Sequence, residues 1–205
     1  YLLNNLFKIE NIKIVGNVKT NHYELEKILS SNSNNLIVFD KDHAKSLIEE
    51  LGWVKRANIK KIYPNTLIVN IIESDPFAVY YNDQDIYLID IDGQIISSNL
   101  DNKNYKSLLI LRGEKAEVRL NEVIKEINIH FPEVRNLVKE LEFIDKRRWN
   151  LILLNGLLVK LPDSGIQDSL KSLKKLFEDK QILDSNIIEV DLRIKGRATI
   201  KVDGE

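Results

Sequence analysis

The chain turns on the stretch from Asp40 to Pro76. It opens with Asp40, places Ala44, Leu47, Ile48 and Leu51 at i, i+3, i+4 and i+7, and then continues as Gly52-Trp53-Val54-Lys55-Arg56-Ala57-Asn58-Ile59. That spacing predicts a helix capped by Asp40, with Gly52 as the left-handed residue that ends it. Tyr63-Pro64-Asn65-Thr66 reads as a turn, and after it Leu67, Val69 and Ile71 alternate with Ile68, Asn70 and Ile72. The expectation is a helix feeding a β-hairpin, leaving at Glu73-Ser74-Asp75-Pro76. The unit carries no evident chemistry and reads as a docking module.

Upstream, residues 7–15 place Phe7, Ile9, Ile12 and Ile14 among charged residues, a strand pattern closed by Gly16-Asn17. Asn21 and Glu24 are spaced as a capping box ahead of Leu25, Ile28 and Leu29, which predicts a helix. The order of this part is strand, helix, helix, strand, strand.

Beyond Pro76 the pattern becomes short strands, at residues 77–81, 86–89, 94–97 and 108–111, read as an antiparallel meander. Two amphipathic helices follow. The first carries Leu120, Val123, Ile124 and Ile127, and the second starts at Pro132 and carries Val134, Leu137, Val138 and Leu141. Strands return at residues 149–154 and 157–161 around the hairpin dipeptide Asn155-Gly156. A helix with Ile166, Leu170, Leu173, Leu176 and Phe177 comes next, and strands at residues 187–194 and 198–202 close the chain.

With 205 residues, 43% hydrophobic and 30% charged, the chain has enough apolar mass for two domains. The net charge of −1 supplies no global field for nucleic acid, and Lys146-Arg147-Arg148 is short enough for a solvated turn. Absence of cysteine excludes disulfides, thiolate catalysis and cysteine-bound zinc. The sequence also lacks methionine, so further sequence of targeting or membrane-anchoring type is expected upstream of Tyr1.

One motif imitates an active site. Tyr87-Leu88-Ile89-Asp90-Ile91-Asp92-Gly93-Gln94 resembles the nucleophile strand of haloacid-dehalogenase-type phosphatases, in which one aspartate attacks phosphorus, the other moves the proton, and both hold magnesium. Gln94 stands where threonine is expected and no later acidic motif completes the site, so a hairpin turn is the competing reading. His22, His43 and His130 lack metal-ligand spacing, and no glycine-rich phosphate loop or serine elbow occurs. No cofactor is expected.

Taken in order, Ile12-Lys13-Ile14-Val15-Gly16-Asn17, Leu51-Gly52-Trp53-Val54-Lys55-Arg56-Ala57, Tyr63-Pro64-Asn65-Thr66-Leu67, Glu73-Ser74-Asp75-Pro76-Phe77-Ala78, Leu88-Ile89-Asp90 with Gly93, Arg148-Trp149-Asn150-Leu151, Asn155-Gly156 and Val190-Asp191-Leu192-Arg193 resemble the extracytoplasmic part of the FtsQ/DivIB family of bacterial division proteins. The resemblance implies an α+β chain. It would comprise a juxtamembrane segment at 1–6, a POTRA domain (β-α-α-β-β) at 7–74, and a mostly antiparallel β-domain with flanking helices at 75–205.

It further implies a non-enzymatic divisome scaffold of the inner membrane, single-pass, with this part in the periplasm and the anchor upstream of Tyr1. FtsB and FtsL would bind by β-strand addition at Ile194, Lys195, Gly196, Arg197, Ala198, Thr199, Ile200 and Lys201, and other division proteins through the POTRA domain. In that reading Arg193, Lys195, Arg197 and Lys201 would set the register of an acidic segment. The alternatives are a POTRA-bearing client-binding protein of outer-membrane or secretion assembly, and a magnesium-dependent phosphatase built on Asp90 and Asp92.

Overall fold

The computed structural model describes residues 6–82, 85–98, 105–178 and 186–204, so most of the 1–6 segment and the polar loop near residue 100 lie outside the described residues. The chain divides into two compact units, Tyr1–Asp75 and Pro76–Glu205.

The first unit runs β1 (Asn11–Val15), α1 (His22–Asn32), α2 (Lys41–Glu49), β2 (Val54–Ile62) and β3 (Thr66–Glu73), the expected β-α-α-β-β order. Its sheet is ordered β1-β3-β2, with β1 parallel and β2 antiparallel to β3. Leu67, Val69 and Ile71 alternate inward, as their spacing predicted, and pack with Leu25, Leu29, Leu36 and Ile48. Asp40 caps α2 by accepting from the amides of Asp42 and His43, and Asn21 caps α1 by accepting from Tyr23.

Two local expectations fail. The first strand begins at Asn11 and not at Phe7, because Ile9 donates to Asn34 and Leu36 donates to Phe7, so residues 7–9 lie along that loop instead of the sheet. Gly52 does not take up a positive φ and so is not left-handed. The helix ends instead through short-range bonds from Leu51 to Ile48 and from Val54 to Leu51.

A carboxylate closes this unit. Glu73 accepts from the amides of Val18 (2.9 Å), Lys19 (2.8 Å) and Thr20 (2.6 Å) and from the Thr20 hydroxyl (2.7 Å). It thereby satisfies a run of backbone donors with one side chain.

The second unit continues with β4 (Ala78–Asn82), β5 (Asp85–Ile89), β6 (Ile95–Ser98), β7 (Leu109–Arg112), α3 (Ala116–His130), α4 (Pro132–Arg135), β8 (Val138–Ile144), β9 (Arg148–Leu153), β10 (Leu158–Lys160), α5 (Ile166–Glu178), β11 (Ile187–Asp191) and β12 (Thr199–Val202). Its strands form one sheet ordered β12-β11-β10-β9-β8-β7-β4-β5-β6. Five of the eight pairings are antiparallel, so the mostly antiparallel β-domain with flanking helices is what folds. Leu120, Val123, Ile124 and Ile127 of α3 and Leu170 and Leu173 of α5 join its buried core.

The structure corrects the sequence here too. β7 does not extend a meander: it lies parallel to both β4 and β8. The second amphipathic helix is a single turn, and Val138 and Leu141 belong to strand β8. A register shift between Val138 and Glu140 breaks the period of two, and with Val134 upstream the remaining spacing imitates a helix. Trp149 on β9 is buried against Phe143 of β8, ring centroids 4.6 Å apart.

Two outcomes are expected. A fragment ending at Asp75 should fold cooperatively, because its apolar core is its own; circular dichroism showing an unstructured fragment would refute this. Glu73→Gln should cost about 1–2 kcal/mol near neutral pH, allowing for partial solvent screening. Burial pushes the Glu73 carboxyl up, but the bonds from Thr20, Lys19 and Val18 outweigh it and hold it below the usual value. A depressed pKa gives stability present above the unfolded value and lost as pH falls through the folded one. The unfolding curves of the parent chain and of the Glu73→Gln variant should therefore converge in acid, and a gap that persists there would show that the charge is not the cause.

Candidate functional site

The backbone ladder of the large sheet is open at β12, which pairs with β11 and with no other strand among the described residues. Its register sets Thr199 opposite Asp191, Ile200 opposite Val190 and Lys201 opposite Glu189. The Asp203 amide donates to the Asn186 carbonyl at 2.7 Å. With a strand period of two, the amides of Thr199 and Lys201 then face β11, and those of Ile200 and Val202 face the open edge.

The same period sorts the side chains. Tyr80, Leu111, Leu141, Leu151, Val159 and Val190 stand opposite one another on successive strands, and the row ends at Ile200. Leu111, Leu141, Leu151, Val159 and Val190 are fully buried, whereas Ile200 is 40% exposed. Thr199 and Lys201 point to the opposite, polar face, where Lys160 holds Glu189 at 2.7 Å.

Of the eight residues expected to contact a partner, Thr199, Ile200 and Lys201 lie in the strand. Ile194, Lys195, Gly196, Arg197 and Ala198 form the loop before it, tightened by a bond from the Arg197 amide to Ile194 and by Gly196 at φ 73°. That loop faces α5 across a groove of about 640 Å³ that includes Pro162, Ser172, Leu176 and Leu192. The sequence pointed to none of those groove residues, since only the packing of α5 brings them beside the edge strand.

The four cations expected to steer an acidic segment are not equivalent. Arg193 grips Asp191 through Nε and Nη2, the shorter bond 2.6 Å, and Lys195 lies 3.4 Å from Asp168. The bond from Arg193, opposed by burial, holds the Asp191 carboxyl below its usual value. No ion pair of Arg197 or Lys201 occurs among the described residues. Lys146 and Arg147 sit in the β8–β9 turn and Arg148 opens β9; Lys146 meets Glu114 at 2.6 Å and Arg148 meets Asp145 at 2.8 Å.

The aspartate pair forms the β5–β6 turn. Asp90 is buried and accepts from the amides of Asp92 and Gln94, both at 2.9 Å, while Asp92 accepts from Asn121 at 2.7 Å. Gly93 has φ 79° and lies against the Glu117 backbone, leaving no room for a Cβ. β5 has antiparallel neighbours on both sides, unlike a phosphatase nucleophile strand. Among the described residues no three His, Asp or Glu side chains gather as metal ligands.

The sequence model for the cell division protein FtsQ/DivIB C-terminal region matches residues 78–193, and that for the POTRA domain, FtsQ-type, matches residues 7–74. The chain belongs to the FtsQ/DivIB family. A cell division protein FtsQ of Agrobacterium fabrum is 32% identical over 197 residues, which is 96% of this chain and 62% of that protein. One from Rhizobium radiobacter is 32% identical over 186 residues, 90% of this chain and 88% of that protein. The chain thus spans 62% and 64% of the length of two FtsQ relatives, those of A. fabrum and Rhizobium meliloti. Among solved structures, the major extracytoplasmic domain of the trans isomer of DivIB from Geobacillus stearothermophilus matches 55% of this chain and 96% of its own at 15% identity, with a TM-score of 0.33, too slight to argue from. No helix of the described residues is long and apolar enough to cross a membrane.

Asp90→Ala is expected to lower stability by about 1–3 kcal/mol, because two amide donors of the turn lose their buried acceptor. Unfolding midpoints with and without magnesium should shift equally. Stabilisation of the parent chain by magnesium that disappears in the variant would restore the metal-site reading.

Proposed function

We propose that this FtsQ/DivIB chain is the extracytoplasmic part of a non-enzymatic division scaffold that recruits FtsB and FtsL by accepting a strand on β12. In this proposal a membrane anchor upstream of Tyr1 holds it at the inner membrane, and the POTRA unit takes other division proteins. The observation that carries the reading is the open side of β12, where a buried cross-sheet row ends on half-exposed Ile200.

An added strand finds the amides and carbonyls of Ile200 and Val202 facing outward. That allows about four backbone bonds at roughly 0.5–1.5 kcal/mol each, from which ordering costs must be subtracted. An apolar side chain opposite Ile200 extends the row, which adds burial where the backbone bonds alone are marginal. Acidic side chains on the other face meet Lys201, and the α5 groove has room for residues flanking the strand. Ile194 and Arg197 line that groove, so the eight residues proposed for the partner divide into strand contacts and groove contacts.

The test uses two prolines that differ only in which way the replaced amide points. Ile200→Pro removes an outward donor and should weaken binding of an FtsB segment about tenfold or more while leaving the β11 ladder intact. Thr199→Pro removes a donor to β11 and should loosen β12 itself, seen by circular dichroism and faster amide exchange at Asp191. Charge reversal at Arg197 should act more mildly and mainly at low salt. If Ile200→Pro folds and binds the FtsB segment as tightly as the parent chain, the edge is not the docking site.

A further inference from the structure

The ends of the parallel trio β4, β7 and β8 enclose a second groove, of about 500 Å³. Phe77, Leu108 and Leu154 supply apolar wall, Lys106, Arg135 and Lys139 supply cations, and no Asp or Glu lines it. Leu154 is 65% exposed. β8 is four strands from β12, about 19 Å at the usual strand spacing, so this is a different place from the open edge.

Arg135 sets the groove apart. Its guanidinium lies over the Phe77 ring, 4.8 Å from the centroid, an arrangement that covers one face and leaves the in-plane N–H donors for an acceptor. Elsewhere in this unit Arg112 holds Glu140, Arg148 holds Asp145 and Arg193 holds Asp191, and Arg197, which holds no carboxylate among the described residues, is exposed. Arg135 holds none among the described residues, and burial alone lowers its pKa, with no anion to raise it. A half-buried cation without a counter-charge carries a desolvation cost that an arriving carboxylate removes.

We propose that this groove docks an acidic peptide segment of a partner protein, seating a carboxylate on Arg135 and an adjacent apolar side chain against Phe77, Leu108 and Leu154. Charge complementarity selects an anion, and the apolar wall selects one carried on a larger apolar body. A free inorganic anion would use the cations and leave that wall wet. Lys106 and Lys139, at the rim, raise the encounter rate of an acidic segment more than they strengthen the seated complex.

The test titrates the full ¹⁵N-labelled chain with the peptide acetyl-Leu-Asp-Phe-Glu-Leu-amide and, separately, with its neutral Asn/Gln counterpart, with acetate and with phosphatidylglycerol vesicles. Amide shifts from the acidic peptide should centre on Phe77, residues 106–109 and residues 135–139, and fade with added salt. The neutral peptide and Arg135→Gln should each bind about tenfold more weakly, and Arg135→Lys should retain part of the affinity because it keeps the charge without the planar fork. The same spectra report whether each variant is folded. Equal binding of the neutral peptide, undiminished binding by a folded Arg135→Gln, shifts centred on residues 187–202, acetate reproducing the full effect, or vesicle binding without peptide binding would each overturn the proposal.

Discussion

One row of side chains governs the second unit. Leu111, Leu141, Leu151, Val159 and Val190 lie side by side on five neighbouring strands, each fully buried. Helices cover this apolar face because two of the three parallel pairs are joined by helical crossovers, β7 to β8 through α3 and α4 and β10 to β11 through α5, whereas β4 reaches β7 by way of β5 and β6. Parallel pairing demands such crossovers, and a helix laid on a sheet demands apolar residues beneath it. The opposite face carries the ion pairs of Arg112 with Glu140 and Lys160 with Glu189, together with buried Val79 and Leu88 toward the β5 side. Interruption of the row anywhere would separate β12 from the core that positions it.

Several acidic residues of this chain stabilise backbone, among them Asp90 of the motif that imitates an active site. Asp40 caps α2, Asp90 gathers the amides of the β5–β6 turn, and Glu73 gathers those of residues 18–20. A carboxylate that accepts several amides is an efficient solution wherever a turn leaves donors in a row. An Asp-x-Asp-Gly sequence is therefore produced by two unrelated demands, a metal-bound nucleophile and a tight turn, and only the surrounding strand directions separate them. Antiparallel neighbours on both sides of β5 decide for the turn.

Local rules made part of this legible. The β2–β3 hairpin, the Asn21 and Asp40 caps, the stripe of α3 and the Asn155-Gly156 turn each depend on neighbours within a few residues, and each formed, although Glu24 does not return the bond that a capping box with Asn21 requires. The direction of β7 was hidden because parallel partners are chosen by the fold and not by the strand. β8 was hidden because its register shift leaves Val138 and Leu141 three apart, a helical interval. At the candidate site the alternation of residues 199–202 was readable, whereas the groove beside it depends on where α5 packs. The Arg135 groove was invisible for the same reason, its members coming from four separate stretches of chain.

An open edge that stays soluble must be guarded, and the guard here explains what kind of partner can use it. β12 is only four residues long, carries Lys201, follows a glycine turn, and pairs with a β11 that bulges between Ile187 and Glu189. Each feature makes casual pairing with another exposed strand unfavourable. A short edge offers too few backbone bonds to hold a ligand by themselves, so affinity must come from side chains: an apolar residue beside Ile200, acids near Lys201, and flanking residues in the α5 groove. The edge supplies the geometry common to any strand, and the row and the groove supply the selectivity.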